Sequence, residues 1–329
     1  MMVVMTTTRG ERDQPSLQRR LEVLKLPVVP LERHGFLTPS DRADMEREPE
    51  AVGVGPDGTA FAVWSHRMDS RRKQVTWHLG GKGIRIVGAI DVETDLCASF
   101  VQPLPEGRVL LAAARTGRGA INGEVWTRDG DLEYRGHLGD AIEELQTTPS
   151  GKVWAGYFDE GALGGSGPEG HGLARFNQDL TVDWLYPHDA GLPYISDCYT
   201  LNLHGETAHF CPYTDFHIQS ASGDKVTDWG ASPYQSAHSM LVSGADRALL
   251  AGWGSEYDVV TLLRIGRDGV RRIGGQCRLV LPDGIEAQRL RYTCRSGDLH
   301  AFTRGTWYRT NMDELQAVAL SSIADAESG

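Results

Sequence analysis

Cysteine is scarce in this chain and poorly placed for cross-linking. The five residues stand at 97, 198, 211, 277 and 294, with no C-x-x-C pair among them. An odd number at irregular spacing provides neither a disulfide framework nor a structural zinc site. Five reduced thiols are expected, most of them packed as small hydrophobes. Long apolar runs are missing too: no segment approaches the ~18 apolar residues that span a bilayer. Residues 1–5 are apolar but too few for a signal-peptide core, and no A-x-A cleavage pattern follows. Runs of Lys and Arg interleaved with aromatics are also absent, and the net charge is −11. A surface of that sign repels phosphate backbones and anionic lipid, so neither nucleic acid nor membrane is expected as a partner. A cytoplasmic location is the expectation that follows.

What the chain does have is turn chemistry. Of its 329 residues 39 are glycine and 15 proline, and 40% are hydrophobic, enough for a sizeable core in a fold with many tight turns. A turn followed by a short apolar run recurs at Pro56-Asp57-Gly58, Pro105-Glu106-Gly107, Pro149-Ser150-Gly151, His204-Gly205-Glu206, Gly244-Ala245-Asp246 and Ser296-Gly297-Asp298. Successive spacings are 49, 44, 55, 40 and 52 residues, the period of a propeller blade with variable loops. The flanking stretches, among them 59–64, 109–114, 142–148, 152–157, 206–210, 247–253 and 299–303, are short and rich in small or β-branched residues, as strands are.

A second turn follows in five units, for example Arg128-Asp129-Gly130 and Arg267-Asp268-Gly269. Two hairpins per unit make a four-stranded antiparallel blade. The fold class predicted is all-β, a six-bladed β-propeller, or seven-bladed if the leader holds a degenerate unit. A β-sandwich or barrel is the competing fold, but six paired turns at this period are hard to place in one sandwich. Residues 1–20 read as a flexible leader with mixed charges around Pro15, residues 21–316 as one propeller domain, and 317–329 as a flexible tail. The sixth unit lacks a clear second turn, so a strand from 21–31 is expected to complete the last blade and close the ring.

Three segments, Gly-Tyr-Phe-Asp-Glu-Gly at 156–161, Asp-Cys-Tyr-Thr-Leu-Asn at 197–202 and Tyr-Thr-Asp-Phe at 213–216, carry a resemblance. The chain resembles a group of actinobacterial β-propeller proteins over roughly residues 140–280. More distantly it is similar to the six-bladed propellers that include gluconolactonases and strictosidine-synthase-like enzymes. The resemblance implies the propeller fold and transfers no site residue.

In a propeller the residues leading into each inner strand share a face with the loops joining the second and third strands, so several blades can each contribute one side chain to a central site. The first set holds Glu50, Asp95, Glu143, Glu144, Asp197, His238 and Glu286, and the second His66, Arg115, Asp159, Glu160, Asp215 and Glu256. Carboxyl groups converging on one axis repel one another unless a cation sits among them or raised pKa values keep some protonated. On the first account Asp215, Glu256 and Glu143 are candidate ligands for Ca²⁺ or another divalent cation that polarises a carbonyl or water. On the second His238, with His66 as the other choice, and the acids Asp159 and Glu160 form an acid/base set. Tyr157, Tyr213, Trp253 and Arg115 are candidate substrate-binding groups. Each named acid also has the plain reading of a solvated loop residue, since the chain carries 44 acids.

Other motifs carry less. His209 and Cys211 share a strand face and read as a packed pair. Cys198 has no basic neighbour in sequence to activate it as a nucleophile. The glycine-rich run 161–172 lacks the G-K-[ST] of a phosphate loop and reads as a lid over the channel. The leading functional expectation is a small-metabolite enzyme with a central pocket, a hydrolase, lactonase, lyase or isomerase. The alternatives are a non-catalytic propeller presenting a face to a protein or peptide, or a carbohydrate-binding propeller using Tyr157, Tyr213 and Trp253 as stacking platforms.

Overall fold

The computed structural model describes residues 9–327 apart from 42, 118, 189–190, 236, 251–253 and 289, with side chains described from residue 16 to residue 321. Six antiparallel sheets follow one another along the chain. Blades one to five cover residues 51–93, 100–136, 142–185, 201–231 and 239–280. Blade six takes three strands from 291–311 and its outermost strand, Glu32–Phe36, from near the start of the chain. This is the six-bladed propeller the turn spacing predicts.

The core is six separate apolar layers, one at each junction between neighbouring blades. Val63, Val75 and Ile90 of blade one meet Val101, Leu111 and Trp126 of blade two. Leu110 and Val125 meet Ile142, Val153 and Phe176 at the next junction, and Trp154 meets Leu203 and Phe210 after that. Trp64 and Trp307 fill the junction of blades one and six, and both are fully buried. The strands therefore alternate less than a one-sided sheet would, because blade faces on both sides are covered. Bulky indoles suit such a layer, since each removes 150–250 Å² of largely apolar surface from water.

Ring closure uses two segments rather than the one expected at 21–31. Val28–Pro30 adds in parallel to the outer strand Gly269–Val280 of blade five. Glu32–Phe36 then crosses to blade six and pairs antiparallel with Thr306–Asn311. Residues 21–23 instead continue a helix, α1 (Arg9–Val23), which covers much of what reads as a flexible leader. The tail differs in the same way: a helix Met312–Glu327 lays Met312, Leu315 and Ala319 into the layer shared by blades five and six. No helix among the described residues is long and apolar enough to cross a membrane.

Candidate functional site

The inner strands close the central channel with a polar floor. Arg295 of blade six is buried and donates from Nε to the Val54 carbonyl of blade one at 2.9 Å and from Nη2 to Gln102 Oε1 of blade two at 2.8 Å. Gln146 Nε2 of blade three donates to Leu201 O of blade four and Cys294 O of blade six, at 3.0 and 3.1 Å. Asn202 Nδ2 donates to Met240 O of blade five at 2.7 Å and to Ser296 O at 2.9 Å. Every blade is thus tied across the axis. Burial pulls the Arg295 guanidinium down to about 9, against a smaller opposing effect of the Asp57 charge.

Above this floor opens a cavity of about 650 Å³. Its walls come from the residues leading into inner strands: Glu50 before blade one, Cys97 before blade two, Glu143 and Glu144 in blade three, His238 and Ser239 in blade five, and Arg291 and Tyr292 in blade six. A neighbouring cavity of about 340 Å³ shares His238, Leu290 and Tyr292 and adds Tyr257 and Gln288.

These groups differ in how firmly they are held. Glu50 is pinned: its carboxylate takes Lys73 Nζ at 2.5 Å, the Ala98 N–H at 2.6 Å and the Ser65 hydroxyl. Glu143 and Glu144 form no such network among the described residues. Burial lifts the Glu143 carboxyl above the usual range, and lifts Glu144 far above it, with the Glu143 charge adding to the effect on Glu144. Asp197, just behind in the segment before blade four, is pushed up to about 7 by burial and then by Glu143 and Asp159. His238 moves in the opposite sense, since burial disfavours its imidazolium. Its Nδ1 lies 3.2 Å from Ser239 Oγ and its ring 5.8 Å from that of Tyr292. Arg291 reaches in from the rim, with Nη1 donating to Glu50 O at 2.9 Å. The cavity therefore combines two carboxyls and an imidazole whose charged forms desolvation disfavours with the guanidinium of Arg291.

Of the residues singled out from sequence, Glu50, Glu143, Glu144 and His238 line this cavity. Glu160 and Arg115 pair with each other on the surface, where Arg115 also lies 3.4 Å from Asp140. Asp159 opens the short helix Asp159–Gly164 and acts on Asp197 through its charge. Tyr157 does not reach the cavity: it is fully buried and its hydroxyl donates to the Leu138 carbonyl inside the junction of blades two and three. Tyr213 is 41% exposed and stacks on Tyr199 with ring centres 5.7 Å apart. Trp253 lies outside the described residues.

The three metal-ligand candidates are not gathered. Glu256 accepts hydrogen bonds from Arg19 Nε and from Tyr234 OH, Asp215 is exposed on a blade-four loop, and Glu143 faces the cavity. Among the described residues no three His, Cys, Asp or Glu side chains stand close enough to hold a metal ion. The glycine-rich run is not an open lid: Gly161, Ala162 and Glu169 are buried, and Glu169 accepts the Gly167 N–H at 3.1 Å. All five cysteines are free, and Cys198 is buried with its thiol lifted well above the ordinary value, the reverse of an activated nucleophile. His209 accepts from Arg247 Nη2 at 3.2 Å, and burial keeps it neutral down to about 3.

Sequence reasoning missed Arg291 and Arg295. Both lie on the strand Arg291–Arg295, whereas Glu286 is the residue that stands out ahead of blade six. Glu286 instead sits 3.0 Å from Arg20.

No family model matches the chain, and no curated protein matches it. Among solved structures it is similar to regucalcin from Agrobacterium tumefaciens, a calcium-binding protein, at 14% identity and a TM-score of 0.45, over 86% of this chain and 94% of that one. A protein from Bacteroides uniformis provisionally assigned as a 6-phosphogluconolactonase gives 16% and 0.48 over 83% and 82%. A luciferin-regenerating enzyme gives 12% and 0.41 over 81% and 92%. Likeness at this level concerns the propeller fold alone. The comparisons supply nothing for the narrower actinobacterial resemblance.

Proposed function

We propose that the protein is a small-metabolite enzyme working by general acid/base catalysis in the central cavity, within the hydrolase, lactonase, lyase or isomerase class. The observation that carries the reading is one cavity lined by a carboxyl, Glu144, and an imidazole, His238, whose charged forms burial disfavours. Groups whose surroundings push their titration apart can divide the roles of acid and base at neutral pH. For a lactone or ester, His238 would take a proton from water as that water adds to the carbonyl. Glu144 would give its proton to the departing alkoxide, and Arg291 would hold an anionic group of the substrate. The roles need only groups of this chain.

The test is a panel of lactones and simple esters followed by proton release, with wild type beside His238→Gln. Turnover by the wild type and its loss in a normally folded variant supports the reading. Equal turnover by both, or none by the folded wild type across the panel, defeats it.

A further inference from the structure

The chain is acidic overall, yet one cavity outside the channel is dominated by arginines. A space of about 460 Å³ lies where blade six meets blade one, and Arg47, Arg67 and Arg304 line it. Glu46 is the one acid among the described residues lining this space, and Glu48 lines the adjoining cavity that shares Arg304. Of the three arginines none forms an ion pair among the described residues, although ten others do, including Arg20, Arg108 and Arg175. The back wall is apolar, formed by Leu37, Met45 and Trp64, all buried.

The backbone fixes two of the arginines. Arg304 and Gly305 form the two-residue turn between Asp298–Thr303 and Thr306–Asn311, with φ of 47° and 75°. Asn and Gly favour that left-handed turn, whereas a long side chain there costs roughly 1 kcal/mol. Gly305 O accepts the Leu37 N–H at 2.7 Å, which locks the turn onto the cavity wall. Arg67 is held by its N–H on Asp44 O at 2.9 Å. A smaller cavity of about 290 Å³ shares Leu37, Arg304 and Gly305 and reaches Arg291, so the groove runs toward the central cavity.

We propose that this groove binds a small organic anion, its phosphate or carboxylate held by Arg47, Arg67 and Arg304 and its apolar body laid against Leu37, Met45 and the exposed Ile84. Guanidinium forks match phosphate and carboxylate oxygens in paired hydrogen bonds. Unpaired cations against an apolar wall suit a ligand carrying both features. The site stands apart from the catalytic reading and holds whether or not that reading does.

The experiment is calorimetric titration of the full chain with phenyl phosphate, benzoate, inorganic phosphate and phenol. Phenyl phosphate and benzoate are expected to bind at millimolar concentration or better, inorganic phosphate more weakly, and phenol not detectably. Arg304→Asn suits the left-handed turn and so keeps the fold, and it is expected to weaken phenyl phosphate binding about tenfold, the loss of a charge-assisted pair. Arg128→Gln, on the exposed blade-two turn and lining neither cavity, leaves that binding unchanged. Failure of both anions to bind, or an Arg304→Asn protein that binds as wild type does, overturns the proposal.

Discussion

Arg20 closes on Asp258 with two parallel hydrogen bonds, Nη1 to Oδ1 at 2.6 Å and Nη2 to Oδ2 at 2.9 Å. Asp258 is fully buried, and the same guanidinium donates to Tyr257 OH at 2.8 Å and lies 4.4 Å from the centre of that ring. The pair fastens α1 to blade five beside the smaller cavity. Removing one partner of a buried pair strands the other's charge. Arg20→Ala is therefore expected to destabilise the protein by about 3 kcal/mol, read from urea unfolding midpoints. Arg20→Lys should restore less than half of that, because an ammonium cannot make the paired contact. A loss no larger than that of an exposed arginine would show that the helix contributes little.

Asp197 sets a pH dependence whose sign follows from its raised pKa. Its folded value is about 7, far above that of an unfolded aspartate. The folded state then holds more protons between roughly pH 4 and pH 7, so this contribution is fully present below about pH 4 and is lost as pH rises through 7. Asp197→Asn should flatten the stability curve over that window and raise stability at pH 8 by on the order of 2 kcal/mol. Parallel curves for the two proteins, measured by chemical denaturation from pH 4 to pH 9, would contradict this.

The blades were legible because their turns are locally determined. Pro-Asp-Gly at 56–58 and Arg-Asp-Gly at 128–130 reverse the chain whatever surrounds them, and their period carries the architecture. The closing strand was not legible. Glu32–Phe36 reads Glu-Arg-His-Gly-Phe, mostly polar, and becomes a strand because Thr306–Asn311 offers it an open edge. The helix α1 was hidden by Pro15 and its mixed charges, and its docking depends on Asp258, more than two hundred residues away. Within the site, Glu143, Glu144 and His238 were recoverable because strand register fixes which residues lead into the channel. Glu160 and Glu256 were not, because ion pairs with Arg115 and Arg19 decide where those loop carboxylates point. Arg291 carries no turn or motif to mark it.

Gly53 marks how closely the inner strands pack. A Cβ at this position would lie 2.0 Å from Val101 O and 2.9 Å from Gln102 Nε2, the amide whose oxygen Arg295 holds. Gly53→Ala must push blade one from blade two or displace the floor. A loss of about 2–3 kcal/mol is expected, with a matching drop in the thermal midpoint. A variant as stable as wild type would mean the blades slide apart freely at the axis.

On the proposed acid/base reading, His238 and Glu144 should impose opposite limbs on the rate. A general base must be deprotonated, so activity should fall as pH drops through the His238 pKa, which burial places below the ordinary histidine value. A general acid must be protonated, so activity should fall again as pH rises through the elevated Glu144 pKa. The profile of kcat/KM is then a bell with its plateau near neutrality. His238→Gln should lower kcat by roughly 10²–10⁴ and remove the acid limb from what remains, while Glu144→Gln should remove the basic limb. Glu50→Gln serves as the contrast: its carboxylate is committed to Lys73 and the Ala98 N–H, so the change should lower stability while leaving both limbs in place. If the two limbs survive in both cavity variants, neither residue moves the proton, and the roles pass to other groups on the same wall.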